Sequence, residues 1–308
     1  MQKIFQTTIT TPISFQGVGL HSGKISNIKL IPAKEDQGVI FKRVDLKQNN
    51  EIEGNYENVS SAKLCTTLQN KNGVKVSTVE HLLAALYIAG IDNVIVEIDN
   101  EEIPIMDGSA KDFLKDIKNV EIKNLNKKRK YLKIINKVDL LDGDRTISIE
   151  PSDTFFEVDF QLNYKNKIIA NQRNSINFLT DDLDEVIESR TFCLFEDIEK
   201  IKKNGLAKGG SLENALVVDD EKVLNEGGLR NQKEFVNHKI LDLAGDFLLS
   251  GYRILGKVAC RQGGHELTNT FLRKLLATES AYTIIEQENL EISKKITSEQ
   301  SLKLVVNA

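Results

Sequence analysis

Side chains able to hold a metal ion and to move protons fall in three short stretches of this chain. They are Ser77-Thr-Val-Glu80-His81-Leu-Leu-Ala-Ala-Leu86, Phe235-Val-Asn-His238-Lys-Ile-Leu-Asp242-Leu-Ala-Gly-Asp246-Phe-Leu-Leu249 and Gln262-Gly-Gly-His265-Glu-Leu-Thr-Asn269. At 3.6 residues per helical turn, His238 and Asp242 lie one above the other and Asp246 follows on the same side. Ile240, Leu241, Ala244, Phe247 and Leu248 form the opposite, apolar face. In the first stretch Val79, Leu82, Leu83 and Leu86 make the apolar stripe and leave Glu80 and His81 on its flanks. Two neutral imidazoles and a carboxylate are the ligand set of a catalytic zinc with a position open to water, and iron(II) takes the same donors. A glutamate beside a ligating histidine can take the proton of that water.

Plainer readings stand beside this one. Ser77 to Glu80 also fits a capping box, in which hydroxyl and carboxylate satisfy the amides of the first helical turn. His238 and Asp242 also fit an i, i+4 helical pair, worth only a few tenths of a kcal/mol at a surface. Gly245 weighs against that plainer reading, because a glycine inside a helix costs about 1 kcal/mol unless something approaches closely. A neighbour is therefore expected against the face of Gly245 and Asp246. His265 reads as a loop histidine after an apolar strand, with two glycines that let the backbone approach a cleft. Its best role is that of a general acid, an imidazolium held by a carboxylate, with Asp246 the candidate partner. Lys239 adjoins the polar face and can neutralise an anion.

The elements that must position these groups read as follows. Strands are expected over residues 8–15, 25–32, 39–44 and 93–98, bounded by Gly, Pro, Asn or Asp. A helix over 78–89 stops at Gly90, and a shorter one runs over 110–117. The basic stretch Lys123-Asn-Leu-Asn-Lys-Lys-Arg-Lys130 has no periodicity and reads as a solvated linker between domains. Strands follow over 131–138, 145–151 and 154–162, helices over 183–188, 194–204 and 235–249, a strand over 254–261 and a helix over 269–277. Strands interleaved with helices in both halves give an α+β class. At 308 residues the chain exceeds the length at which one core stops growing. Two domains are expected, an N-terminal one over 1–125 and a C-terminal one over 130–308.

Composition narrows the function classes. A net charge of -4 offers no basic field for nucleic acid. No run of 18 or more apolar residues and no signal-peptide core is present, so a cytoplasmic protein is expected. The three cysteines, Cys65, Cys193 and Cys260, form no Cys-x-x-Cys pair, and Cys193 and Cys260 read as small buried apolar residues. The glycines of Gly205-Leu-Ala-Lys-Gly-Gly-Ser-Leu212 lack P-loop spacing, and no dinucleotide-binding fingerprint occurs. The Asp-Gly turn in Ile103-Pro-Ile-Met-Asp-Gly-Ser-Ala110 is explained by structure alone.

Taken together, these stretches resemble the UDP-3-O-acyl-N-acetylglucosamine deacetylases, zinc enzymes of an early step of lipid A synthesis. The likeness runs in order from about residue 3 to about residue 278 through Gly17-Val-Gly-Leu-His-Ser-Gly23, Leu64-Cys-Thr-Thr-Leu68, Ser77 to Leu86, Pro104-Ile-Met-Asp-Gly-Ser109, Ser189-Arg-Thr-Phe192, His238 to Asp246 and Gly264-His265. The resemblance implies two similar α+β domains with helices packed between two sheets and the site at their junction. It implies a zinc ion held by His81, His238 and Asp242, with Glu80 as the base and Thr191 as an oxyanion donor. His265 becomes the acid or electrostatic partner, oriented by Asp246. Phe192, Lys239, Leu64, Cys65 and Gly210 become substrate contacts, and Cys65 a thiol able to bind excess zinc. An acyl-chain passage is implied from residues 191–218, for which Phe192, Leu194, Phe195, Ile198, Ile201, Leu206 and Leu212 are suited. Thr268 stands where members often carry asparagine, and Arg145 where a lysine for diphosphate contact is common. A monomer acting on a UDP-linked acylated glucosamine is expected. A zinc amidase for another acylated sugar and a non-catalytic zinc-stabilised binding protein are the alternatives.

Overall fold

The computed structural model describes residues 4–152 and 155–286. Thr154 of the expected 154–162 strand, and residues 287–308 of the expected second domain, lie outside them. Six helices are formed among the described residues: α1 (Glu80–Ala89), α2 (Lys111–Lys118), α3 (Asp184–Ile187), α4 (Phe195–Lys203), α5 (Glu234–Leu248) and α6 (His265–Ala277).

Two five-stranded sheets carry the same order of strands and directions. One runs Ile13–Val18, Ile25–Pro32, Val94–Ile98, Val39–Arg43, Glu51–Glu53, and the other Val138–Asp142, Arg145–Glu150, Lys257–Arg261, Glu157–Asn163, Asn171–Asn177. In each the third and fourth strands pair in parallel and all other neighbours are antiparallel. A parallel pair requires a long crossover. The crossover of the first sheet carries α1 and that of the second carries α5, so the two helices occupy equivalent places.

Alternation along the strands buries one face of each sheet, Ile28 and Leu30 with Phe41 in the first, Val158, Phe160 and Leu162 with Ile147 in the second. These side chains join those of the helices in one continuous core. The result is an α+β fold of two similar halves whose helices pack between two sheets. A helix between two sheets must be buried all round. Every residue of α5 except Lys239 is buried, including the polar face that the sequence left beside the apolar one.

What packs against Gly245 is α1. A Cβ at Gly245 would collide with the Glu80 carbonyl oxygen and lie 3.0 Å from the Ala84 nitrogen, so only glycine lets the two backbones cross this closely. The far end of α1 is clamped by arginines. Gly90 caps it in the left-handed conformation at φ 72°, and Arg129 donates to the Gly90 carbonyl at 2.7 Å and to Asp92 at 2.9 Å. Arg253 reaches the carbonyls of Tyr87 and Ile91, the latter at 2.9 Å, and lies 4.4 Å over the Tyr87 ring. Cations at a helix C-terminus are favoured by its dipole.

Five expectations about the elements change. The strands expected over 8–15 and 131–138 are each two, Phe5–Ile9 with Ile13–Val18 and Lys130–Ile134 with Val138–Asp142, and the members of each pair join different sheets. Most of the basic stretch 123–130 is a strand, Ile122–Lys128, paired antiparallel with Phe5–Ile9, and Lys127 is ion-paired with Asp36. The 254–261 strand is two, Arg253–Leu255 and Lys257–Arg261, which join different sheets on either side of Gly256. The last helix starts four residues early, which takes His265 out of the loop and makes it the first residue of α6.

The crossing at Gly245 generates a prediction. Gly245→Ala forces α1 and α5 apart, costs about 1–3 kcal/mol as overpacking does, and lowers the midpoint of thermal unfolding. An unchanged midpoint would contradict the crossing.

Candidate active site

Because α1 begins at Glu80 with Val79 as an N-cap that makes no side-chain bond, no capping box forms. Ser77 Oγ donates instead to the Glu101 carbonyl at 3.1 Å, and Glu80 Oε2 accepts the Thr66 amide at 3.0 Å. The plain reading of Glu80 is thereby removed, and its buried carboxylate belongs to the groups around α5.

His81 Nε2 lies 3.5 Å and His238 Nε2 3.3 Å from one atom, Asp242 Oδ1. The two rings stand nearly perpendicular, 5.0 Å between centroids. Each of the three residues offers a ligand atom within 4.8 Å of the others. His238 Nδ1 faces the Ser189 carbonyl at 3.1 Å. A carbonyl only accepts, so Nδ1 carries the hydrogen and Nε2 keeps its lone pair. Lys239 Nζ donates to Asp242 Oδ2 at 2.8 Å and leaves Oδ1 buried without a hydrogen-bond partner, as is Nδ1 of His81. Buried polar atoms are almost always satisfied, so a bare Oδ1 between two imidazole nitrogens marks a cation site. Tetrahedral zinc with ligand bonds of about 2.0–2.1 Å spaces its ligands by roughly 3.3–3.5 Å. The residues present fit such an ion.

Electrostatics agree with that assignment. Burial pushes His238 down to about 3, which keeps the ring neutral and able to ligate. Burial alone would raise Asp242, but the His238 ring, the Lys239 ammonium and His265 outweigh it and hold the carboxyl well below the usual range. Burial raises Glu80. His265 is raised to about 10: burial opposes the charge, and the carboxylates of Asp246, Glu80 and Asp242 overrule it. Its Nδ1 bonds Asp246 Oδ2 at 2.8 Å, while Nε2 faces Glu80 Oε1 at 3.6 Å and Asp242 Oδ2 at 3.8 Å. Thr66 Oγ1 donates to the other Asp246 oxygen at 2.7 Å. A buried carboxylate and a charged imidazole thus face one another beside the candidate ligand triad.

The triad opens into a cleft of about 360 Å³ that Thr191, Phe192, Lys239, Leu64, Tyr164 and Arg145 also line. Phe192, Thr191, Leu64 and Ile201 continue into an apolar passage of about 350 Å³ whose walls include Phe195, Ile198, Leu212 and Gly210. Lys239 Nζ is 5.5 Å over the Phe192 ring. Leu64, half exposed at φ 67°, borders both spaces. Of the residues suited to the passage, Leu194 lines only the cleft and Leu206 neither space. Cys65 is buried and lines neither, and burial with the Glu80 charge pushes its thiol up to about 12, a protonated and poor ligand. Cys193, expected in the core, is half-buried and borders both spaces.

Sequence reasoning missed Thr66, whose amide and hydroxyl hold two carboxylates of the site. It missed Tyr164 and His21 as lining residues too. Tyr164 carried no signal; Thr66 and His21 lay inside stretches quoted only as wholes.

Residues 6–277 match the family model described as LpxC, UDP-3-O-acyl N-acetylglycosamine deacetylase. The UDP-3-O-acyl-N-acetylglucosamine deacetylase of Pseudoalteromonas translucida (strain TAC 125) is 44% identical over 282 residues, 91% of this chain and 93% of the relative. That of Geotalea uraniireducens (strain Rf4) is 42% identical over 283 residues, 92% of each chain. That of Geobacter sp. (strain M21) is 42% identical over 284 residues, again 92% of each. With a family model matched over most of its length and relatives above 40% identity over nine-tenths of both lengths, the chain belongs to the UDP-3-O-acyl-N-acetylglucosamine deacetylase family.

Proposed function

We propose that this chain is a zinc-dependent deacetylase that hydrolyses the N-acetyl amide of UDP-3-O-acyl-N-acetylglucosamine, releasing acetate and leaving a free amine. The observation that carries the reading is the bare Asp242 Oδ1 between His81 Nε2 and His238 Nε2, with Glu80 and protonated His265 on one side. His81, His238 and Asp242 hold the ion, which when bound supplies Lewis acidity at the amide carbonyl and the attacking water.

The chain's own groups do the rest. Glu80 takes a proton from the water as its oxygen attacks the carbonyl carbon. Thr191, at the junction of cleft and passage, donates to the oxygen that gains charge. His265 gives its proton to the departing nitrogen, and Asp246 keeps the ring oriented for that transfer. The amide C–N bond breaks, the acetic acid formed loses the second water proton to solvent as acetate, and the proton on Glu80 restores that of His265 by way of solvent. Lys239 and Arg145 lie in the cleft as cations for the diphosphate, and the apolar passage takes the acyl chain. Iron(II) suits the same donors, so the metal is an experimental matter. No helix among the described residues is long and apolar enough to cross a membrane. We place the enzyme in the cytoplasm as a monomer.

Acetate release from UDP-3-O-acyl-N-acetylglucosamine tests the reading directly. Activity is expected to vanish on chelation and to return with zinc; a folded, zinc-loaded protein that releases no acetate would overturn the substrate assignment. Glu80→Gln is expected to bind zinc as tightly as the parent while kcat falls about 10²–10⁴-fold, the contribution of a general base. Near-parental turnover in that variant would remove Glu80 from the mechanism.

A further inference from the structure

The segment Ser189-Arg190-Thr191 joins three features that the reaction leaves unexplained: a buried ion pair, the turn around Asp107, and the fixed tautomer of His238. Glu234 is the first residue of α5 and has no exposed surface, and His238 lies one turn further along the same face. Each grips one of two consecutive residues. His238 Nδ1 meets the Ser189 carbonyl at 3.1 Å, while Glu234 Oε1 accepts the Arg190 amide at 3.2 Å and its Nε at 2.7 Å. Glu234 Oε2 accepts Arg190 Nη2 at 3.2 Å and the Arg230 amide at 2.6 Å, and Arg190 Nη2 also donates to the Gly228 carbonyl at 2.9 Å.

The opposite side of the segment is held as tightly. Arg230 Nη1 donates to Asp107 Oδ2 and to the Glu188 carbonyl, each at 2.8 Å, and the Thr191 amide donates to the Gly108 carbonyl at 2.8 Å. Gly108, at φ 87°, admits no side chain, because a Cβ would collide with the Asn214 carbonyl. The turn that sequence reasoning assigned to structure alone thus holds the backbone of Thr191, which lines the cleft.

A buried ion pair returns little net stability once desolvation is counted, and its best-attested use is to fix register. Here the register is that of a backbone carbonyl against a ligand's second ring nitrogen, an interaction that sets tautomer and ring orientation in metal sites. We propose that Arg190 and Glu234 are positioning residues for the metal centre: their ion pair holds the Ser189 carbonyl on His238 Nδ1 and so presents Nε2 to the ion. The proposal rests on the reading of His238 as a metal ligand.

The test compares zinc dissociation constants, measured by chelator competition on folded metal-free protein, alongside thermal unfolding, kcat and KM. Glu234→Gln keeps the shape and one acceptor oxygen but cancels the charge pairing. It is expected to weaken zinc binding about 10–100-fold and to lower kcat with KM nearly unchanged. Arg190→Lys, which keeps the charge, is expected to fall between Glu234→Gln and the parent. Phe156→Leu, in the core beside Phe247 near the other end of α5, serves as the control that loses stability without touching this network. It is expected to unfold earlier with its zinc affinity intact. Zinc affinity within about twofold of the parent in Glu234→Gln would overturn the proposal, and so would an equal affinity loss in Phe156→Leu. Should Glu234→Gln not fold, Arg190→Lys decides: weakened zinc binding supports the proposal and parental binding overturns it. A parent protein that binds no zinc would fell the functional reading and this one together, and shows itself before any variant is made.

Discussion

The close crossing of α1 and α5 at Gly245 is the constraint on which the site depends. It brings the first turn of one helix, with Glu80 and His81, against the middle of the other, with His238, Asp242 and Asp246. Both helices lie between two apolar sheet faces, so the ionisable groups gathered at the crossing are withdrawn from water. Isolated buried charges are costly, and the cluster is tolerable only because each group has a partner. Asp246 has His265 and Thr66, Asp242 has Lys239, and Glu80 has the Thr66 amide. What is left bare is one carboxylate oxygen between two imidazole nitrogens, and a cation is the partner such an atom lacks.

The repeated sheet topology explains why two helices meet in this way. Each half needs a crossover to join its parallel strands, and each crossover carries a helix, α1 in the first and α5 in the second. Placing the halves face to face sets the two crossover helices on one another, and the candidate ligands divide between them. His81 comes from one half and His238 with Asp242 from the other, while His265 opens α6, the helix that follows the central strand of the second sheet. The arginine clamp at the far end of α1 ties the same helix to a strand of the second half, which keeps its first turn in place.

Much of this was legible in the sequence, for physical reasons that differ by residue. The spacing of His238, Asp242 and Asp246 is set by helical geometry, and Gly245 announced a close neighbour because nothing else offsets its cost. Glu80 was ambiguous, since a capping box and a catalytic base share the same residues. The observed start of the helix removes the capping box. His265 was assigned to a loop because the glycines before it hid a helix that begins at the histidine itself. The strand Ile122–Lys128 was taken for a linker because none of its residues is fully buried, so no alternation marks it. The duplication of the two halves left no trace in local patterns, since it resides in strand order rather than in residue types. The α5 partners of Arg190 and Ser189, Glu234 and His238, are likewise tertiary, 44 and 49 residues away along the chain.

X-ray absorption at the zinc edge of the metal-loaded protein tests the central claim most directly. The account predicts a shell of two imidazole nitrogens and one or two oxygens at about 2.0–2.2 Å with no sulfur. A sulfur scatterer near 2.3 Å, which would bring Cys65 into the shell, or a shell without imidazole, would contradict it.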